Sequence, residues 1–123
     1  MYINKIKLEN FRNYENQEIV FDKNVNIIYG DNAQGKTNIL ESIFICSLGK
    51  SFRTNKEKEL INKEKDFAKI EMISSKEDRD IKINFELKEK KKFNINGIPT
   101  KRTSDILGKN YIVLFTPEDI MIL

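Results

Sequence analysis

The residues with the clearest chemical potential form a glycine-rich loop of the pattern Gly-x-x-x-x-Gly-Lys-Thr, at residues 30–37. Glycines let such a loop bend and turn its backbone N–H groups toward a phosphate. In a loop of this kind Lys36 reaches the β- and γ-phosphates, and the hydroxyl of Thr37 binds Mg²⁺. The sequence therefore predicts a binding site for a nucleoside triphosphate that is carried with Mg²⁺.

The segments on either side of the loop fit this role. Residues 25–29 are apolar and predict a buried strand, whereas residues 36–48 predict a helix that Gly49 ends. The N-terminus of a helix offers unpaired N–H groups and about half a positive charge, which favours phosphate binding. We expect the backbone amides of residues 32–37 to cradle the β-phosphate.

The composition is typical of one soluble domain. The 123 residues include 22 basic and 19 acidic side chains, and the net charge of +3 is mild for a dedicated nucleic-acid binder. The most apolar stretch, residues 39–48, contains Glu41 and is too short to cross a bilayer, so we expect a cytoplasmic protein without a membrane partner. There is no histidine, and the single Cys46 predicts a buried thiol, which leaves nucleotide-bound Mg²⁺ as the expected metal.

Alternation of apolar and polar residues predicts antiparallel strands before and after the helix. Three such segments are residues 3–8, 68–72 and 81–87, and residues 18–21, where three apolar residues follow Glu18, predict a further strand. A further hairpin strand is predicted at residues 93–97, with a turn at Asn96 and Gly97. The remaining predicted elements are short helices at residues 57–62 and 103–107, a buried strand at 111–115 and a helix beginning at Thr116.

Other classes of nucleotide protein fit the sequence less well. A small-molecule kinase usually opens with its loop strand, whereas residues 1–24 precede that strand here. A GTPase would need a base-reading Asn-Lys-x-Asp motif, which is absent, although residues 105–108 match Asp-x-x-Gly. A scaffold module would not need Lys36 or Thr37. The fourth class is an ABC-type ATPase head, in which an antiparallel sheet lies beside the phosphate-loop sheet.

Four blocks of the sequence resemble the RecF family of SMC-related ATPases, in the order that the family has them: residues 8–14, 30–41, 48–54 and 113–119. The resemblance implies an α/β fold, namely a P-loop NTPase with the N-terminal lobe of an ABC-ATPase head. That lobe has a mixed sheet around the P-loop helix and additional antiparallel β hairpins. Residues 1–123 would form this part of the head, with the signature motif and the Walker B carboxylates expected beyond Leu123.

The resemblance also implies which residues bind the nucleotide. The implied ATP ligands are Gly30, Asp31, Asn32, Ala33, Gln34, Gly35, Lys36, Thr37, Asn38 and Arg12. Thr37 is expected to bind Mg²⁺ as well, and the alternative for Arg12 is a solvated turn residue. The chain departs from the family at Asp31, where glutamate is common, and at Phe52, where histidine is common. Phe52 is expected either to stack on a base or to be buried under the loop.

Two basic clusters are candidates for DNA contact. The candidate side chains are Lys50, Arg53, Lys56, Lys90, Lys91 and Lys92, and both clusters extend further, to Lys58, Lys88, Lys101 and Arg102. Contacts of lysine and arginine with phosphates give salt-dependent affinity without sequence preference. The alternative is that these side chains only keep an exposed surface soluble.

The resemblance implies a role in recombinational repair and replication restart. ATP binding would close a homodimer on gapped DNA or on a junction between single- and double-stranded DNA, and hydrolysis would open it. Such a protein acts with RecO and RecR to load RecA. The chain alone is expected to bind ATP with negligible hydrolysis, and the alternative is a non-hydrolysing interaction module with a P-loop fold.

Overall fold

The computed structural model of the protein describes residues 2–21 and 33–100. In these residues a single α-helix, α1 (Ala33–Leu48), lies against an antiparallel sheet of six strands. The strands are β1 (Tyr2–Phe11), β2 (Tyr14–Val20), β3 (Ala68–Lys76), β4 (Arg79–Leu87), β5 (Lys91–Ile95) and β6 (Ile98–Pro99). The elements predicted at residues 25–29, at 103–107, at 111–115 and from Thr116 lie outside the described residues.

The sheet has the order β2-β1-β3-β4-β5-β6, with every neighbouring pair antiparallel. Since side chains alternate between the two faces of a strand, every second residue points into the core. The buried side of the sheet consists of Ile6, Leu8, Ala68, Ile70, Met72, Ile83, Phe85, Leu87 and Phe93. Ile43, Ile45 and Cys46 of α1 belong to the same buried cluster. The alternation predicted for β1, β3 and β4 is therefore confirmed.

The first hairpin differs from the prediction, which began its second strand at residue 18. Strand β2 begins at Tyr14, which pairs with Phe11, so that only Arg12 and Asn13 form the turn. The polar residues that follow Tyr14 are exposed, and their place in the strand is set by backbone pairing with β1. A pattern based on apolar side chains cannot detect such a strand.

Helix α1 starts three residues earlier than predicted, because the second half of the glycine loop already has helical backbone. Its predicted end is confirmed. Gly49 has a φ of 83°, and its N–H donates to the carbonyl of Ile45 at 2.7 Å, as at a typical glycine C-cap. The ammonium of Lys91 on β5 donates to the Gly49 carbonyl at 3.0 Å, which ties the end of the helix to the sheet.

Two segments after α1 have other bounds than predicted. The helix expected at residues 57–62 is a 3₁₀ helix, Glu57–Leu60, after which Ile61 forms an isolated bridge with Phe11. Strand β5 begins at Lys91 instead of Phe93. The turn at Asn96 and Gly97 is confirmed, with φ values of 51° and 83°.

Two further expectations concern the burial of Cys46 and helices that could cross a membrane. Cys46 is fully buried and not part of a disulfide, as predicted. Over the part of the chain that the structure describes, no helix is both long enough and apolar enough to cross a membrane.

Candidate nucleotide site

The glycine loop leads directly into the first turn of α1. Ala33, Gln34 and Gly35 have helical backbone, and Lys36 and Thr37 follow within the same helix. Gly30, Asp31 and Asn32 lie outside the described residues. The first N–H groups of a helix have no partner within it, so this end of α1 has donors and partial positive charge to offer an anion.

Asn38 and Glu41 lie one turn further along α1 and are almost fully buried, at 4% and 0% exposure. A carboxylate buried to this extent needs charged or hydrogen-bonding partners. Glu41 has three. Arg12 donates from Nε to Oε1 at 2.8 Å and from Nη2 to Oε2 at 2.9 Å, while the Ser51 hydroxyl donates to Oε2 at 2.5 Å. Arg53 is the third partner, with Nη1 at 3.4 Å from Oε1.

The two-point contact stabilises the charged form of the Arg12 guanidinium and fixes the plane of the group. The hydrogen bonds that Arg12 donates to Glu41 raise the pKa of Arg12 above its usual value, against the opposing effect of burial. The Arg12 side chain is only 18% exposed. A planar guanidinium that is always charged is suited to phosphate or to stacking on a base.

The backbone of Arg12 is fixed as well. Arg12 has a φ of 52°, which is uncommon for a residue other than glycine. Its N–H donates to the carbonyl of Leu60 at 2.8 Å, and its carbonyl accepts from the Asn62 side chain at 2.7 Å. The Asn62 N–H donates to the carbonyl of Asn10, whose φ is 53°. Local strain of this kind persists where surrounding contacts hold it, and it is frequent at functional sites.

Asn38 joins the turn to the segment after α1. Its amide Nδ2 donates to Oδ1 of Asn13 at 2.7 Å, and its Oδ1 accepts from Nη1 of Arg53 at 2.5 Å. The β1–β2 turn, the helix and the segment around Ser51 therefore meet in one polar network at α1.

A cleft of about 480 Å³ opens beside this network. It is lined by Arg12, Asn13, Asn38, Arg53, Glu59, Ile61, Asn62 and Lys63. Three of these side chains are cationic and one is anionic. The arrangement can hold an anionic ligand next to the N-terminal half of α1.

The side chains predicted to contact DNA do not all lie on one surface. Lys50 and Lys56 are exposed after α1, and Lys90 is exposed between β4 and β5. Because Lys91 bonds to Gly49, the structure brings Lys90 and Lys91 near Lys50, so that the two predicted clusters adjoin. Arg53 instead belongs to the network around Asn38 and Glu41.

Lys92 lies apart from the other predicted DNA contacts, on the outer face of the sheet. The residues paired across four strands there are Glu9, Lys69, Glu86 and Lys92. Their charges alternate in sign, so this row is electrically balanced. Lys101 and Arg102 lie outside the described residues, and DNA contact by any of these side chains stays a prediction.

Phe52 is 39% exposed and packs edge-on against Phe44, with ring centroids 5.1 Å apart. The expectation that it is buried under the loop is therefore wrong, because the ring covers the side of α1 instead. Sequence reasoning missed the roles of Asn13, Glu41 and Ser51. The available signal was Glu41, an acid within the most apolar stretch of the chain, since a charge in such a place needs a partner.

Similarity to known proteins identifies the family of the chain. Residues 5–118 match the family model AAA_23, described as an AAA domain. The protein named DNA replication and repair protein RecF from Clostridium acetobutylicum is 55% identical over 124 residues, which cover 99% of this chain and 34% of that protein. The chain thus spans about a third of the length of the curated relatives it matches.

Two solved structures are also similar. A structure of the recombination mediator protein RecF-ATP in the RecFOR pathway has a TM-score of 0.86 at 39% identity, covering 95% of this chain and 33% of that one. The SMC head domain from Thermotoga maritima has a TM-score of 0.64 at 26% identity, covering 86% and 41%. These similarities confirm the predicted fold class, the N-terminal lobe of an ABC-type P-loop ATPase head. The chain therefore belongs to the AAA domain family, in which it corresponds to the N-terminal portion of RecF.

Proposed function

We propose that this chain is the ATP-binding lobe of a RecF-type protein of DNA repair and replication. The observation that carries the proposal is the glycine motif whose second half lies in the first turn of α1, together with a cleft at Asn38 of the same helix that contains Arg12, Arg53 and Lys63. Two similar RecF structures are described as RecF-ATP and RecF-ATPrS, which supports ATP as the nucleotide.

In this proposal each part of the site has its own task. The backbone amides of residues 32–37 hold the β-phosphate, Lys36 neutralises the β- and γ-phosphates, and Thr37 binds the Mg²⁺ that the nucleotide carries. Arg12 contacts the nucleotide from the β1–β2 turn. Gly30, Asp31, Ala33, Gln34, Gly35 and Asn38 shape or line the loop.

The wider role is proposed by analogy with the relatives, of which the chain covers about a third. ATP binding would favour a homodimer closed on DNA, either gapped or at a junction of single and double strands, and hydrolysis would reverse it. We propose RecO and RecR as partners, since the RecF-ATP structure is described within the RecFOR pathway. The cytoplasm is the proposed location.

Isothermal titration of the chain with MgATP tests the nucleotide site. Binding is expected for the native chain, and Lys36→Ala should weaken it by more than about 10-fold, since a buried charge-assisted contact contributes roughly 1.5–3 kcal/mol. Lys65→Ala, at an exposed lysine that does not line the cleft, is the matched control and should bind normally. Binding that does not depend on Lys36 or on Mg²⁺, or no binding at all, would favour the interaction module instead.

A further inference from the structure

Glu41 is the fully buried centre of the network beside the cleft, although it lies on the same helix as the phosphate loop. A negative charge near a triphosphate repels it, so the presence of Glu41 calls for another role. Both of its oxygens accept from Arg12, while Oε2 also accepts from Ser51 and Oε1 also accepts from Arg53 at 3.4 Å. We infer that Glu41 is a positioning residue, which holds the Arg12 guanidinium in the orientation that contacts the nucleotide.

The contacts around Arg12 show that Glu41 is the residue that orients its guanidinium. The backbone of Arg12 is held by Leu60 and Asn62, so the freedom that remains is in the long side chain. Arginine loses considerable rotamer entropy when it is fixed, and a two-point contact with a carboxylate fixes both the position and the plane of its guanidinium. The contact uses Nε and Nη2, which leaves the Nη1 edge outside it, and Arg12 also lines the cleft.

The choice of a glutamate follows from the same geometry. A glutamine at position 41 has a single oxygen, so it can accept only one of the two Arg12 bonds. An aspartate is one methylene shorter and would not reach both donors from the same place on α1. Glu59, which lines the cleft and interacts with Arg12 only through its charge, lacks these hydrogen bonds. It therefore offers a matched comparison for charge alone.

This inference rests on the proposed function, and it predicts an effect of opposite sign to simple electrostatics. If Glu41 acted only as a charge, Glu41→Gln would tighten MgATP binding, because one negative charge near the triphosphate disappears. A positioning role predicts weaker binding, by about 10-fold, as expected for the loss of a charge-assisted contact. Glu59→Gln removes a negative charge from the lining of the cleft without removing a hydrogen bond to Arg12, so it should tighten binding slightly.

A double-mutant cycle with Arg12→Ala, measured by titration with MgATP, identifies the residue through which Glu41 acts. Glu41→Gln should weaken binding in the native background and have no further effect once Arg12 is alanine. Equal loss in both backgrounds, or tighter binding of the single variant, would overturn the inference. If the native chain binds with Lys36 dependence and Glu41→Gln binds normally, only this inference fails. If the native chain does not bind, the proposed function fails.

Two further variants keep the inference testable if Glu41→Gln does not fold. Ser51→Ala removes one donor from Oε2 without changing any charge, and should weaken binding only while Arg12 is present. Arg12→Lys keeps the positive charge but cannot make the two-point contact, so its affinity should resemble that of Arg12→Ala. Native affinity in Arg12→Lys would show that orientation is unimportant. Circular dichroism and thermal unfolding of each variant confirm that the folded chain is being titrated.

Discussion

Arg12 and Glu41 lie 29 positions apart in the chain and meet through two hydrogen bonds, of 2.8 and 2.9 Å. The contact joins the β1–β2 turn to the middle of α1, and it neutralises a carboxylate that has no exposure to solvent. Stability and ligand binding therefore depend on the same pair. A change at Glu41 should be visible in both measurements.

Glu41→Ala should lower the free energy of unfolding by about 3–5 kcal/mol, because it leaves Arg12 and Arg53 close together without their counter-ion. Urea denaturation followed by circular dichroism measures the loss. Glu59→Ala, at an exposed acid of the 3₁₀ helix, is the control and should stay within about 0.5 kcal/mol of the native chain. A loss at position 41 no larger than that of the control would mean that the buried pair does not stabilise the fold.

Burial raises the pKa of the Cys46 thiol well above its ordinary value. The unfolded chain then loses this proton at a lower pH than the folded chain does. The free energy of unfolding therefore has its full value below about pH 9 and declines as the pH rises further. The decline in the free energy of unfolding should approach about 1.4 kcal/mol per pH unit. Unfolding of the native chain and of Cys46→Ala between neutral and alkaline pH isolates this contribution. Parallel curves for the two proteins would contradict it.

The same burial predicts that Cys46 does not react with a thiol reagent in the folded chain. At pH 8 the reagent DTNB should label the thiol only after guanidinium is added. Rapid labelling of the folded protein would indicate that α1 opens readily at this position.

Gly97→Ala should destabilise the chain by about 1 kcal/mol through backbone conformation alone. Gly97 has a φ of 83°, and an added Cβ would meet nothing within 4 Å. The cost is thus conformational and not steric. Ile98→Thr, at a residue of the same hairpin that is 69% exposed, is the control and should change stability much less. Equal unfolding curves for Gly97→Ala and the native chain would disprove the strained turn.

Neighbouring lysines between β4 and β5 should respond differently to removal. Lys91→Ala should lower stability by about 0.5–1 kcal/mol, because it removes the cation bonded to the C-terminal carbonyl of α1. Lys90→Ala should leave stability unchanged. If Lys90 contacts a DNA phosphate, as the sequence predicts, its removal lowers the slope of log affinity against log salt by about 1. Fluorescence anisotropy with labelled junction DNA measures that slope, and an unchanged slope would exclude the contact.

The amino-acid sequence predicts the strands whose side chains alternate, because the period of two follows directly from which face is buried. It also predicts the ends marked by Gly49 and Gly97, since few residues other than glycine adopt a positive φ. It does not predict the start of β2 at Tyr14. Exposed polar residues there pair through their backbone, and the pairing leaves no pattern in the side chains.

The candidate site is predictable to a similar extent. The loop motif and Arg12 can be identified from the sequence, but the partners of Arg12 cannot, because Glu41 and Ser51 come from distant parts of the chain. An acid in an apolar helix indicates that a cation is needed without indicating which one. Only the packing of the β1–β2 turn against α1 shows that Arg12 and Arg53 both approach it.

The most direct test of the account is a crystal structure of the chain with Mg²⁺ and a non-hydrolysable ATP analogue. We predict the triphosphate at the N-terminus of α1, within hydrogen-bond distance of the amides of residues 32–37 and of the Lys36 ammonium, with Arg12 still bonded to Glu41. The proposed function would be contradicted if the loop stayed empty at a saturating concentration of the analogue. It would also be contradicted if the backbone amides of the loop pointed inward and were already hydrogen-bonded within the protein.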